Sequence, residues 1–299
     1  MKRNSLILLL VFTFLTATLL MGCGSSSDAP QTTKTNTIAI GGSSTLAPII
    51  AECADSFTEE FKNWDKVDPS FTEEPIVIFV STGGSGFGVK SALDGTFDIG
   101  LVARNLKEQE VADLADGETI KLGSDVLTIA VNPNNPVTKV KNDLTLDEVR
   151  AIFSGEIKKW NQLDSSLPET AIIVAVRDLG GGASQVFDDA VMHGTPISDA
   201  AQQIPSMGAL AAKVMDNAAT IGYVSSGLVN QNPDKLTALS VDGIAPTLEN
   251  INAGSYAIGR PLLIITKTEP TAMQRAFMDY LSSEKGNEVI TKLGYIPAN

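Results

Sequence analysis

The apolar run "AIIVAV" ends in Arg177, and the loop "DLGGGAS" leads straight into a helix-forming stretch. A guanidinium is always charged and presents its N–H donors in a fixed fork. Glycines beside it let backbone N–H groups approach a ligand closely. Two more stretches repeat the order of strand, small-residue loop and helix: "TIAIGGSSTLAPII" and "IVIFVSTGGSGFGVKSAL". A helix start carries unpaired N–H groups and the positive end of the helix dipole, and both favour an anion. Each charge-assisted bond contributes roughly 1.5–3 kcal/mol. Half a dozen of the stronger ones suffice for micromolar affinity against association costs at the lower end of roughly 4–15 kcal/mol. The chemistry indicated is capture of a small oxyanion.

Other chemistries find less support. "GGSGFGVKS" falls short of a phosphate-binding P-loop, because its lysine does not directly follow the last glycine. It also lacks the sixth-position Gly or Ala of a dinucleotide fingerprint. His193, in "VMHGTP", is the single histidine and the only one available to a Ser-His-Asp triad. No Cys/His cluster has metal-ligand spacing, so neither a metal nor a cofactor is expected. Cys53 recurs at helical spacing with Ile49, Ile50 and Phe57, which makes it a buried apolar residue rather than a reactive thiol. A secreted hydrolase is the least supported class, and the chain is expected not to be an enzyme.

Elements must hold the three loops in place. β-type apolar runs alternate with helical patterns, which predicts an α/β fold. Strands are expected at 37–41, 76–80, 126–131, 171–176, 221–224 and 262–266. Helices are expected at 46–61, 88–93, 145–153, 183–192, 207–217, 271–281 and near 284–292. Thr145 followed by Glu148 forms a capping box. "NPNNP" (132–136) breaks the chain after a strand and is expected to be a crossover between lobes. In open α/β sheets, loops at the carboxyl ends of strands are where ligands sit.

The chain has 299 residues, 43% of them hydrophobic, enough for two domains with sizeable cores. Lys2 and Arg3 precede an apolar run from Ile7 to Leu20, and "LMGC" ends at Cys23. This pattern predicts a signal peptide over 1–22 that is cleaved before a lipidated Cys23. Residues 23–36 are small and polar, a flexible tether. Without Lys2 and Arg3 the chain carries 20 basic residues against 35 acidic ones. Nucleic acid is excluded as a partner, since no basic patch exists to neutralise phosphates. Any bound anion has to be held by local dipoles against the overall field.

These stretches also resemble a known family, the PstS-type phosphate-binding proteins, the lipoproteins that capture solute for phosphate ABC transporters. "GGSSTLAPII" is similar to the family's first anion loop and "GGSGFGVKSALDGTFDIGLVARNLK" to its second. "LTLDEVRAIFSGEIKKWNQL", "VRDLGGGAS", "ATIGYV" and the C-terminal stretch from "RPLLIITKTEP" follow in the family's order. The resemblance implies a type II periplasmic-binding fold of two lobes, each a mixed sheet flanked by helices, joined by two crossover hinges. Residues 37–127 and 255–299 would form lobe 1, and 128–254 lobe 2. It implies anion contacts from the Ser44 hydroxyl, the N–H groups of Thr45 and Leu46, Ser85, the Gly86 N–H, Arg104 and Arg177.

The sequence departs from the family's pattern around the site. Relatives carry Ser-Ser or an Asp before the Arg104 turn, where this chain has Val102 and Ala103. They carry Gly-Ser-Gly-Thr where this chain has Gly180, Gly181, Gly182 and Ala183. Backbone N–H groups of Gly181, Gly182 and Ala183 still serve an oxyanion, because an amide needs no side chain. Asp178 offers a substitute acceptor, although pairing with Arg177 is its plainer role. The expected function is capture of an oxyanion, foremost inorganic phosphate, for ABC-type import by a monomeric, lipid-anchored protein that meets a permease outside the cytoplasm. The alternative is a binder or sensor receptor for another oxyanion, an organophosphate or a phosphonate.

Overall fold

The computed structural model describes residues 36–298. The expected signal peptide, Cys23 and most of the tether lie outside the described residues. Among them, no helix is long and apolar enough to cross a membrane.

Among the described residues there are eleven strands, the longer ones built from apolar, β-branched runs. They are β1 (Thr37–Gly42), β2 (Val77–Thr82), β3 (Ile99–Val102), β4 (Thr119–Val131), β5 (Asp143–Leu144) and β6 (Ile173–Arg177). β7 (Gln202–Ile204), β8 (Thr220–Ser225), β9 (Thr237–Val241), β10 (Gly259–Ile265) and β11 (Ile296–Pro297) complete the set. One curled sheet runs in the order β2-β1-β3-β10-β4-β8-β6-β7. β1, β2 and β3 are parallel, as are β6, β7 and β8, because helices return the chain between them. β10 and β4 run antiparallel to their neighbours and join the two parallel groups. The fold is mixed α/β with helices flanking the sheet, the class expected from the alternating pattern.

Two hydrophobic cores lie along this sheet. One draws on residues between Val126 and Ile258, with Phe187 stacked on Tyr223 at a centroid distance of 4.3 Å. The other combines Ile38 to Leu122 with Leu262 to Tyr295, around Phe57, Trp64 and Phe277. A smaller cluster with Val89, Val102 and Leu263 packs the helix Ser85–Leu93 beside β3.

The chain changes core within β4, between Leu122 and Val126, and returns at the start of β10, between Ile258 and Leu262. The turn 132–136 is therefore not the crossover. It ends β4 inside one core, since Val131 and Val137 both belong there. The strand continues through the passage because every residue from Val126 to Val131 is buried. Another expectation also changes. The helix foreseen at 183–192 is an α-helix over Gly182–Phe187 continued by a π-helical turn over Asp188–Met192. His193 closes that turn in the left-handed conformation, at φ 50°.

Five other helices begin on a hydroxyl. Thr145, Ser206, Thr247, Thr271 and Ser283 each accept the N–H three residues on. Thr145 and Glu148 form the expected capping box.

Candidate anion-binding site

β1, β2, β3 and β6 all end at one place, and the loops after them touch. The first loop leads into the helix Ala47–Phe61, the second into Ser85–Leu93 and the third into Gly182–Phe187. None of the three helices has a side-chain cap on its first turn, and two have glycine at the cap position, Gly84 and Gly181. The loops meet across the cores. The Gly86 N–H lies 3.4 Å from the Gly180 carbonyl. The Ala103 N–H donates to Ser85 Oγ at 3.0 Å. A methyl group on Gly182 would stand 2.3 Å from Ser85 Oγ and 3.1 Å from the Ala103 carbonyl. Only glycine fits an approach that close.

Among the described residues, no protein acceptor takes the N–H of Ser44, Ser85, Gly182 or Ala183. Those of Thr45 and Leu46 donate to Ser43 Oγ at 3.3 and 3.4 Å, one turn ahead of the helix. Ser44 Oγ already accepts from Arg177 Nη1 at 3.0 Å and from the Met207 N–H at 3.1 Å. With both lone pairs occupied, its own proton is what remains to offer. The Ser44, Ser85, Gly182 and Ala183 N–H groups and this proton are left uncommitted on loops that touch one another.

Arg177 is buried and heavily used. Its Nε donates to the Ile204 carbonyl, Nη2 to the Pro205 carbonyl and to Asp178, and Nη1 to Ser44. Of five N–H groups, one on Nη1 is uncommitted, so Arg177 does not present the open two-pronged fork that its sequence position implies. Its charge and its hold on Ser44 remain at the loops. Its own backbone N–H donates to Tyr223 Oη at 2.9 Å. Burial pushes that phenol up to about 12, which keeps it neutral at physiological pH.

Arg104 takes a different course. Both terminal nitrogens clasp Glu110, at 2.6 and 2.7 Å, and one also reaches the Asn105 carbonyl. Partial burial disfavours the Glu110 carboxylate, yet the Arg104 pair and the Lys107 N–H outweigh that and hold its pKa below the usual range. This clasp commits three of its five N–H groups to the fold and leaves the Nε one and one on Nη2 uncommitted, in the turn that meets Ser85 through Ala103. Asp178 pairs with Arg177 at 2.8 Å, its plainer role. Cys53 is buried, and burial raises its thiol to about 12, as expected of a core residue.

The departures from the family's pattern have physical counterparts. Val102 and Ala103 are buried, Val102 in the cluster under the second-loop helix. A side chain on Gly181 would begin 2.8 Å from Arg177 Nη2 and 3.1 Å from Asp178 Oδ1. The folded-back guanidinium occupies the space a serine there would need. Beside the third loop lies a cavity of about 580 Å³, lined among others by Arg177, Ser184, Phe187, Ile197, Gln203 and Tyr223.

Sequence reasoning missed Arg260 and Asp125. Their side chains form an ion pair at 2.7 Å that is 1% and 0% exposed, and Arg260 also reaches Thr45. A signal existed, since an aspartate inside the apolar stretch "KLGSDVLTIAV" has to be paired if the strand is buried. Its mate is 135 residues away, beyond any local pattern.

Comparisons agree with this architecture. A family pattern described as a PBP superfamily domain matches residues 27–285. The chain belongs to the PBP superfamily. Within it, the similarities point to one group. The phosphate-binding protein PstS of Bacillus subtilis is 29% identical over 99% of this chain and 95% of its own length. A solved phosphate ABC transporter substrate-binding protein from Clostridium perfringens, with phosphate bound, is 27% identical with a TM-score of 0.74. It is covered completely by 88% of this chain. An ABC-type phosphate transport receptor from Vibrio cholerae, 26% identical with a TM-score of 0.67, is covered completely by 87% of the chain. The resemblance to PstS-type proteins read from the loops is borne out by these relatives.

Proposed function

We propose that this protein captures inorganic phosphate where its three loops meet and delivers it to an ABC importer. The observation that carries the reading is the meeting of three helix starts without side-chain caps, beside the buried Arg177. Dipoles and N–H donors fixed in advance stabilise an anion without reorganisation at the moment of binding. The N–H groups of Ser44, Ser85, Gly182 and Ala183 and the Ser44 proton are the donors we assign, with Thr45 and Leu46 completing the cradle; the N–H groups of Gly86 and Gly181, expected to join them, are instead taken by the Gly180 and Asp178 carbonyls. Relatives named for phosphate binding support this ligand and a capturing rather than a catalytic role.

The two cores act as lobes, 37–127 with 255–299 and 128–254, that hinge at β4 and β10. The anion favours closure because only the closed form brings donors from both lobes to it. The protein works outside the cytoplasm as a monomer, tethered by lipid on Cys23. Calorimetry on protein stripped of bound ligand tests the reading with phosphate, sulfate, phosphite and molybdate. Micromolar or tighter phosphate binding is expected, and no binding at millimolar phosphate would end the capture reading.

The cavity beside Arg177 and Ser184 favours a second ligand class, a phosphonate or phosphate monoester whose substituent enters it. Binding of 2-aminoethylphosphonate more tightly than phosphate in the same assay would select that class.

A further inference from the structure

At both places where the chain passes between cores, the buried sequence carries a charge. Asp125 in β4 stands directly opposite Arg260 in β10. Removing two charges from water costs several kcal/mol per ion unless geometry and further hydrogen bonds compensate. Here they do. Asp125 Oδ2 accepts from Arg260 Nε and Nη2, at 3.0 and 2.7 Å. Its Oδ1 accepts from the Ser226 N–H and hydroxyl, at 3.1 and 2.8 Å. Arg260 reaches further, donating from Nη2 to Thr45 Oγ1 at 3.0 Å and from Nη1 toward the Ala103 carbonyl at 3.5 Å. One guanidinium thereby joins both linking strands, the first loop and the turn after β3.

We propose that Arg260, held by Asp125, is a positioning residue for anion capture that acts through the Thr45 hydroxyl. The inference rests on the phosphate-capture reading. Arg260 does not touch the anion. It fixes Thr45, and Thr45 fixes its neighbour Ser44, the residue that meets Arg177 and the Met207 N–H from the other core. The first loop is in this way registered against the strands that link the lobes. An apolar pair of the same size would pack β4 against β10 equally well but would leave the loop untied.

The test measures phosphate affinity by calorimetry on the purified, ligand-stripped protein, with thermal melting of the unliganded form alongside. Thr45→Val removes the hydroxyl that accepts from Arg260 while keeping the side chain's shape, and is expected to weaken binding about tenfold, the worth of one hydrogen bond to a charged group. Thr45→Ser keeps the acceptor and should stay within about twofold of wild type. Arg260→Lys should weaken binding at least as much as Thr45→Val. The double variant should bind no more weakly than Arg260→Lys alone, because both changes cut one path. Losses that multiply, or a Thr45→Val protein with wild-type affinity, overturn the proposal. A lowered melting temperature with unchanged affinity overturns it too, since that marks a purely structural pair. If Arg260→Lys does not fold, the Thr45→Val and Thr45→Ser pair still decides. Wild-type protein that takes up no phosphate ends the capture reading and this inference together.

Discussion

Two sets of helix starts in this molecule are built differently. Thr145, Thr247, Thr271 and Ser283 spend their side chains on the first-turn N–H groups of the helices they begin. The helices after β2 and β6 begin from glycine without that help, and the one after β1 begins at Leu46 with only Ser43 Oγ ahead of it. Losing a cap costs about 1 kcal/mol per helix. Three such omissions side by side, beside a buried arginine, make sense if the cap comes from outside the chain. The first set serves the fold, and the second leaves its donors for a ligand.

The largest effect expected is on the contact between the second and third loops. Gly182→Val should weaken phosphate binding at least a hundredfold, about 2.7 kcal/mol, because its side chain would overlap Ser85 and Ala103. Titration calorimetry reads this directly, and near-normal affinity would show that the loops need not approach. Next, Arg177→Ala should cost at least about tenfold, since charge and the tie to Ser44 go together. Unchanged affinity would return Arg177 to a purely structural role.

Arg104→Met sharpens the contrast, because this arginine gives both terminal nitrogens to Glu110. It should leave phosphate affinity within about twofold while chemical denaturation shows a loss of roughly 1–3 kcal/mol. Glu110 has its pKa lowered in the folded state, so its pairing stabilises the protein above the ordinary value of 4.5. That stabilisation is lost as pH falls through the folded value. The wild-type advantage over Arg104→Met should therefore shrink under acid, and an advantage that stays constant to acid pH would contradict the pairing. The smallest effect is that of Thr271→Ala, about 1 kcal/mol of stability with no change in affinity. A tenfold loss of affinity there would erase the distinction between the two sets.

Much of this was readable from residues close together in the chain. The three loops, the Thr145 capping box and the burial of Cys53 follow from spacings of a few positions. Features that depend on distant partners were not. β4 begins seven residues before its apolar run, because Thr119 to Asp125 pair with β10 rather than fill a core alone. β7 has only Ile204 as an apolar residue and exists through its pairing with β6. Arg177 announced itself as an anion ligand, yet the carbonyls of Ile204 and Pro205 claim two of its five donors from 27 and 28 residues away. Arg104 carried the same signal and folded onto Glu110. An arginine in sequence is a charge whose partner only the tertiary structure selects.

The central claim is that uncapped helix starts hold the anion through their backbone N–H groups. Amide NMR of the ¹⁵N-labelled, ligand-stripped protein titrated with phosphate tests it most directly. The account predicts large downfield shifts for the amides of Ser44, Ser85, Gly182 and Ala183, with the amides behind the caps of Thr271 and Ser283 unmoved. Saturable phosphate binding that leaves those four amides in place would contradict it.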